Sequence, residues 1–185
     1  MKLLLLAAVC FILAALVTAR PALAQDKKIL VAYFSWSGNT KSIAGQIHQK
    51  VGGELVEIVP VTPYPTDYNA CTDAAKKEQQ NQARPPLKTS LDNMAQYDVI
   101  FLGYPNWWSS IPMPVATFLE QYDFAGKTIV PFVSHGGGGQ GRSVSDIAKL
   151  CPGANMLEAL SVSSAGGGSL PNNIDAWLRK IGLSG

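Results

Sequence analysis

From Lys28 to the C-terminus, short apolar β-prone runs alternate with stretches of helical character. Lys28–Phe34 is the first run and Leu55–Val61 the second. The third, Tyr97–Gly103, is apolar almost throughout, the pattern of a strand covered on both faces. Thr128–Ser134 and Met156–Val162 are the fourth and fifth. Between them Ile43, Ala44, Ile47 and Val51 recur at helical spacing, and helices are expected over 70–82, 115–122, 143–150 and 173–181. Parallel strands need such crossovers, so the alternation predicts an α/β three-layer sandwich: a five-stranded parallel sheet with helices on both faces.

Residues 1–24 stand outside that pattern. Lys2 is followed by an apolar run from Leu3 to Val17, and then by Ala22-Leu23-Ala24. A charged start, a hydrophobic stretch and a small-x-small site read as a secretory signal peptide cut before Gln25, and the run is short for a membrane span. The expected domain is therefore 25–185, exported to a periplasmic or extracellular compartment, with no stable membrane insertion after cleavage. Without Lys2 and Arg20 the basic residues equal the 13 acidic ones. A neutral chain argues against nucleic acid as a partner. Cys71 and Cys151 remain, and an oxidising compartment permits but does not require their pairing.

The loop after the first strand is Ser35-Trp36-Ser37-Gly38-Asn39-Thr40. A strand, a hydroxyl-rich loop and a helix start aim free N–H groups and the positive end of a helix dipole at one point. The hydroxyls of Ser35, Ser37 and Thr40 and the Asn39 amide add donors, and the loop contains no lysine. A terminal phosphate monoester suits such a nest. This loop resembles the phosphate loop of flavodoxins, where a Ser/Thr-x-Ser/Thr-Gly-Asn-Thr segment after the first strand holds the phosphate of FMN. The resemblance implies strand order 2-1-3-4-5, FMN as cofactor, and a site at the C-terminal ends of the strands.

Two further loops then gain roles. Gly103-Tyr104-Pro105-Asn106-Trp107-Trp108-Ser109 follows the third strand. An aromatic face there would stack on an isoalloxazine, with Pro105 and Asn106 beside it. Trp107 and Trp108 are both expected at the cofactor, with Trp107 ahead of Trp108 for the stack on the flavin and Trp108 acting mainly on stability. Ser134-His135-Gly136-Gly137-Gly138 follows the fourth strand, where glycines allow close backbone approach to a planar ligand. The resemblance places this loop at the flavin N1/O2 edge, with His135 either a donor there or merely a satisfied loop residue. Thr62–Tyr68, stiffened by two prolines, is a crossover turn that could edge the site.

Gly136-x-Gly138-x-x-Gly141 also satisfies a dinucleotide fingerprint, with Glu158 as its only available acidic partner. It falls after the fourth strand rather than the first, which counts against it. No metal-ligand spacing and no nucleophile–base pair is legible. The expected function is electron transfer to a redox partner protein or a small-molecule electron acceptor. The alternative is an FMN-dependent NAD(P)H:quinone or nitro-compound oxidoreductase, favoured if one flavin face lies open.

Overall fold

The computed structural model describes residues 27–184; the expected signal segment lies outside them. The strands are β1 (Ile29–Tyr33), β2 (Glu54–Glu57), β3 (Val99–Pro105), β4 (Thr128–His135), β5 (Asn155–Met156) and β6 (Leu160–Ser163). The helices are α1 (Asn39–Val51), α2 (Tyr68–Gln80), α3 (Met113–Gln121), α4 (Ser143–Leu150) and α5 (Leu170–Lys180). All strand pairings are parallel, in the order β2-β1-β3-β4-β5, with β6 continuing along β4. The predicted order is the observed one.

Alternation along the central strands builds two cores. Leu30 and Ala32 of β1, with Ile100, Leu102 and Tyr104 of β3, face α3 and α4. Val31, Tyr33, Val99 and Phe101 face α1 and α5, where Ile43, Ile47, Ile174 and Trp177 close over them. Burial of β3 from Val99 to Tyr104 explains its unbroken apolar sequence. Both thiols are free: Cys151 is buried at the C-terminal end of α4, and Cys71 is buried on α2.

Two strands depart from expectation. The second ends at Glu57 rather than Val61, because the chain leaves β1 and meets residues 86–89 instead. Val61 N–H donates to the Pro86 carbonyl (2.8 Å), Lys88 N–H to the Val59 carbonyl (2.7 Å), and Pro60 bridges Leu87. That segment covers part of what would be an open edge. The fifth strand is cut in two by Pro131 of β4. The Ile129 carbonyl accepts from Leu157 (3.0 Å), so residues 129 and 131 both face this edge, and Pro131 has no N–H to give it. The register slips by one residue there: Ile129 pairs Met156, but Phe132 pairs Leu160.

Candidate functional site

Chain leaving β1 enters α1 on one face of the sheet, while chain leaving β3 enters α3 on the other. The two loops diverge, and a crevice opens between them at the C-terminal strand ends. Gly38, at φ +88°, turns the first loop into α1. Ser42 is the first residue to donate back, to the Gly38 carbonyl at 3.0 Å. Among the described residues, the N–H groups from Ser35 to Lys41 meet no protein acceptor. Ser37 and Asn39 line the cleft. The Ser35 hydroxyl oxygen is buried without a partner. Thr40 is buried; its Oγ1 lies 2.8 Å from Ser134 Oγ, and whichever hydroxyl donates, the other keeps a free proton.

The second loop is pinned to β4. Asn106 N–H donates to the Ser134 carbonyl (2.8 Å), and its Nδ2 donates to the Gly139 carbonyl (2.7 Å). That bond fixes the amide orientation, since a carbonyl can only accept. Asn106 Oδ1 is thereby left buried and unpaired on the cleft wall, an acceptor without a donor.

Trp107 and Ser110 exchange two backbone bonds, both 3.0 Å, around Trp108 (φ +51°) and Ser109 (φ +62°). Two consecutive left-handed residues make this a type I′-like turn, a conformation glycine and asparagine usually fill. The core packing expected of Trp108 falls to Trp107. Trp107 is the one packed against the core, held edge-on by Phe34 (centroids 5.4 Å apart) and Tyr64 (5.0 Å). Trp108 is 45% exposed, with Nε1 on the Thr72 carbonyl (3.0 Å) and the Lys76 ammonium 4.8 Å over its ring. Both rings reach the cleft.

In the third loop, Gly137 N–H donates to His135 Nδ1 (3.1 Å), so a neutral His135 ring carries its proton on Nε2. His135 and Gly136 line the cleft, whereas Gly137 and Gly138 lie exposed beside it. Arg142 N–H caps the Ser109 carbonyl (2.8 Å), joining this loop to the tryptophan turn. A Cβ on Gly141 would stand 2.5 Å from that same oxygen. Asp146 then ties both together, accepting from Ser110 Oγ (2.6 Å) and Arg142 Nε (3.0 Å).

Partial burial works to raise the Asp146 pKa, but Ser110, Lys149 and Arg142 outweigh it and hold it below the usual range. A depressed carboxyl stabilises the fold above its unfolded pKa, and that stability is lost as pH falls below the ordinary aspartate range near ~3.9. Acid unfolding followed by circular dichroism should therefore show a shallower acid limb in Asp146→Asn than in the wild type. Parallel acid limbs would deny the carboxylate this role.

The cleft has a volume of about 510 Å³, within the usual range for small-molecule sites. Of the expected residues, Trp36, Ser37, Asn39, Pro105, Asn106, Trp107, Trp108, Ser134, His135 and Gly136 line it; Ser35, Gly38, Thr40, Gly137 and Gly138 do not. Sequence reasoning missed Cys71, Thr72, Ala75 and Ser164. With Tyr68, the first three stand at i, i+3, i+4 and i+7, one face of the otherwise polar α2, a stripe visible in the sequence. Burial and the nearby Glu78 both push the Cys71 thiol up, which keeps it protonated. None of the lining residues is Lys, Arg, Asp or Glu. The dinucleotide alternative lacks its acid: Glu158 binds Lys180 (2.6 Å) at the end of α5.

The flavodoxin family model matches residues 28–181. The chain belongs to the flavodoxin family. A candidate flavoprotein from Bacteroides eggerthii is 36% identical to this flavodoxin, with 85% of this chain and 99% of that one aligned at a TM-score of 0.75. A second, from Bacteroides uniformis, is 30% identical over 83% of this chain and 98% of that one, at 0.74. A flavoprotein from Lactobacillus acidophilus solved in complex with FMN shares the fold at 24% identity, over 82% and 98%, at 0.64. Comparison with proteins of curated function finds no match.

Proposed function

We propose that this flavodoxin binds FMN and works in electron transfer in an exported compartment. The observation that carries the reading is the row of N–H groups from Ser35 to Lys41 without acceptors, at the start of α1 beside the cleft. A terminal phosphate would take those donors. Trp107 would flank the isoalloxazine, the orphaned Asn106 Oδ1 would accept an N–H from its pyrimidine edge, and His135 with Gly136 would border it. The flavin supplies the redox chemistry; the chain supplies binding, orientation and shielding from water. The Lactobacillus relative's FMN complex supports the choice of cofactor. Residues 1–24 support export, by the pattern of their sequence.

Nicotinamide-driven catalysis fits less well. A dinucleotide brings a diphosphate, and the cleft lining offers it no cation. Purified protein should take up FMN one to one. Dithionite should then bleach it, while NADH or NADPH alone should leave the visible spectrum unchanged over minutes. Rapid bleaching by either nucleotide would replace the carrier reading with a reductase.

The tryptophans should separate in their effects. Trp107→Ala should weaken FMN by about 1–3 kcal/mol and lower folding stability as well, because its ring packs on the core. Trp108→Ala should leave stability within about 1 kcal/mol of wild type, its ring being 45% exposed. Fluorescence titration and denaturant melts on both variants test this; the reverse pattern would exchange their roles.

A further inference from the structure

The tryptophans of this chain are fixed by their indole N–H groups, with one exception. Nε1 of Trp36 donates to the Pro65 carbonyl (2.9 Å), that of Trp108 to the Thr72 carbonyl (3.0 Å) and that of Trp177 to the Glu158 carbonyl (2.8 Å). Among the described residues, Trp107 Nε1 meets no protein acceptor. Its ring is held by two other rings instead. Phe34, just past β1, and Tyr64 stand 5.4 and 5.0 Å from it at 84° and 82°, and 5.8 Å from each other. Edge contacts of this kind set the plane of an indole only as firmly as the neighbouring rings are themselves held.

Phe34 is buried, but Tyr64 sits half-buried in the proline turn before α2 and depends on a tether. Its hydroxyl donates to Glu78 Oε2 in the last turn of α2. Burial and Glu78 together push that hydroxyl up, which keeps its proton in the bond. Glu78 is half-buried and, among the described residues, makes no ion pair. The next residue acts on the same target, since Gln79 Nε2 donates to the Trp107 carbonyl at 3.3 Å. Cys71, Ala75, Glu78 and Gln79 stand at i, i+4, i+7 and i+8, so the face of α2 that lines the cleft continues to Trp107.

We propose that Glu78 is a positioning residue for the cofactor, acting through the Tyr64 hydroxyl to fix the plane of Trp107 against the isoalloxazine. The inference rests on the FMN reading and adds to it a residue outside the cleft, which neither Glu78 nor Tyr64 lines. The role needs an acceptor and not a charge, because Tyr64 is the donor. It concerns the ring end of the ligand and leaves the phosphate end alone.

Tyr64→Phe and Glu78→Leu should each weaken FMN about fivefold, and the double variant no more than either, because one bond is lost in all three. Glu78→Gln should bind within about twofold of wild type, its amide oxygen accepting in place of the carboxylate. In a Trp107→Ala background Glu78→Leu should have no further effect. Riboflavin should be weakened by the same factor as FMN. Protein labelled with 5-fluorotryptophan supplies a readout that needs no flavin. The Trp107 fluorine resonance, assigned with Trp107→Phe, should move in Tyr64→Phe and Glu78→Leu and return in Glu78→Gln, while that of Trp177 stays in place. A Trp107 resonance unmoved by Glu78→Leu, additive losses in the double variant, or a Glu78→Gln that binds as poorly as Glu78→Leu would each overturn the proposal. Failure to load FMN would instead sink the flavin reading, and the fluorine spectra of the flavin-free protein would then decide the hold on Trp107 alone.

Discussion

FMN should bind this protein at least about a hundredfold more tightly than riboflavin, a difference of about 2.7 kcal/mol. The two ligands differ by a phosphate, and the site places at its anion position little except backbone. Gly38 at φ +88° turns the chain so that α1 starts with its N–H groups free, and seven consecutive residues from Ser35 carry amides without acceptors. A hydrogen bond to a charged group contributes about 1.5–3 kcal/mol, so two well-formed ones suffice for the predicted ratio. The nearest lysine is already engaged: Lys41 pairs with Glu57 at 3.0 Å and is 62% exposed. Lys41→Ala should therefore change the ratio little. Parallel fluorescence titrations with FMN and riboflavin provide the measurement, and equal affinities would show that the loop does not hold phosphate.

The parts of this fold that were legible in the sequence are those where one strong physical signal acts alone. The unbroken apolar run of β3 reports burial on both faces, and the spacing of Ile43, Ala44 and Ile47 reports a helix with one face on the sheet. The loop from Ser35 to Thr40 was readable because strand, glycine and helix start fix its geometry locally. Misreadings arose where a partner strand decides. Met156–Val162 looks like one strand from its own residues, but Pro131 on its neighbour removes the donor it needs at mid-length. The second strand looks longer than it is because residues 86–89 offer Val59 and Val61 other partners.

The site was harder to read for the same reason. Trp107 and Trp108 are adjacent and chemically identical, and only the turn tells them apart. Two left-handed residues after Trp107 send its ring to Phe34 and Tyr64 and leave that of Trp108 outside. The contribution of α2 depends on which helix crosses the cleft, a tertiary fact. Its stripe of Tyr68, Cys71, Thr72 and Ala75 was visible, yet it resembled an ordinary core face.

Gly103→Ala should destabilise the protein by more than about 2 kcal/mol, at the upper part of the range for overpacked cores. Gly103 lies in β3 between Tyr33 of β1 and Phe132 of β4, and the Phe132 ring covers it. A Cβ there would stand 2.2 Å from two ring carbons of a side chain that is fully buried. The ring has no easy way out, since Phe101, Val130 and Val162 share the core around it. Phe132→Ala alone should cost about 3–5 kcal/mol by opening a cavity. If the two positions form one packing unit, the added methyl fills part of that cavity. Gly103→Ala with Phe132→Leu should then be more stable than the sum of the single changes allows, by at least about 0.5 kcal/mol. Urea melts of wild type, Gly103→Ala, Phe132→Leu and the double variant give the coupling directly. Strict additivity, or a Gly103→Ala variant as stable as wild type, would mean that the ring moves aside freely. In the predicted case glycine stands at this position because the Phe132 ring occupies the space a side chain would need, two residues before β3 ends at Pro105 and passes into the tryptophan loop.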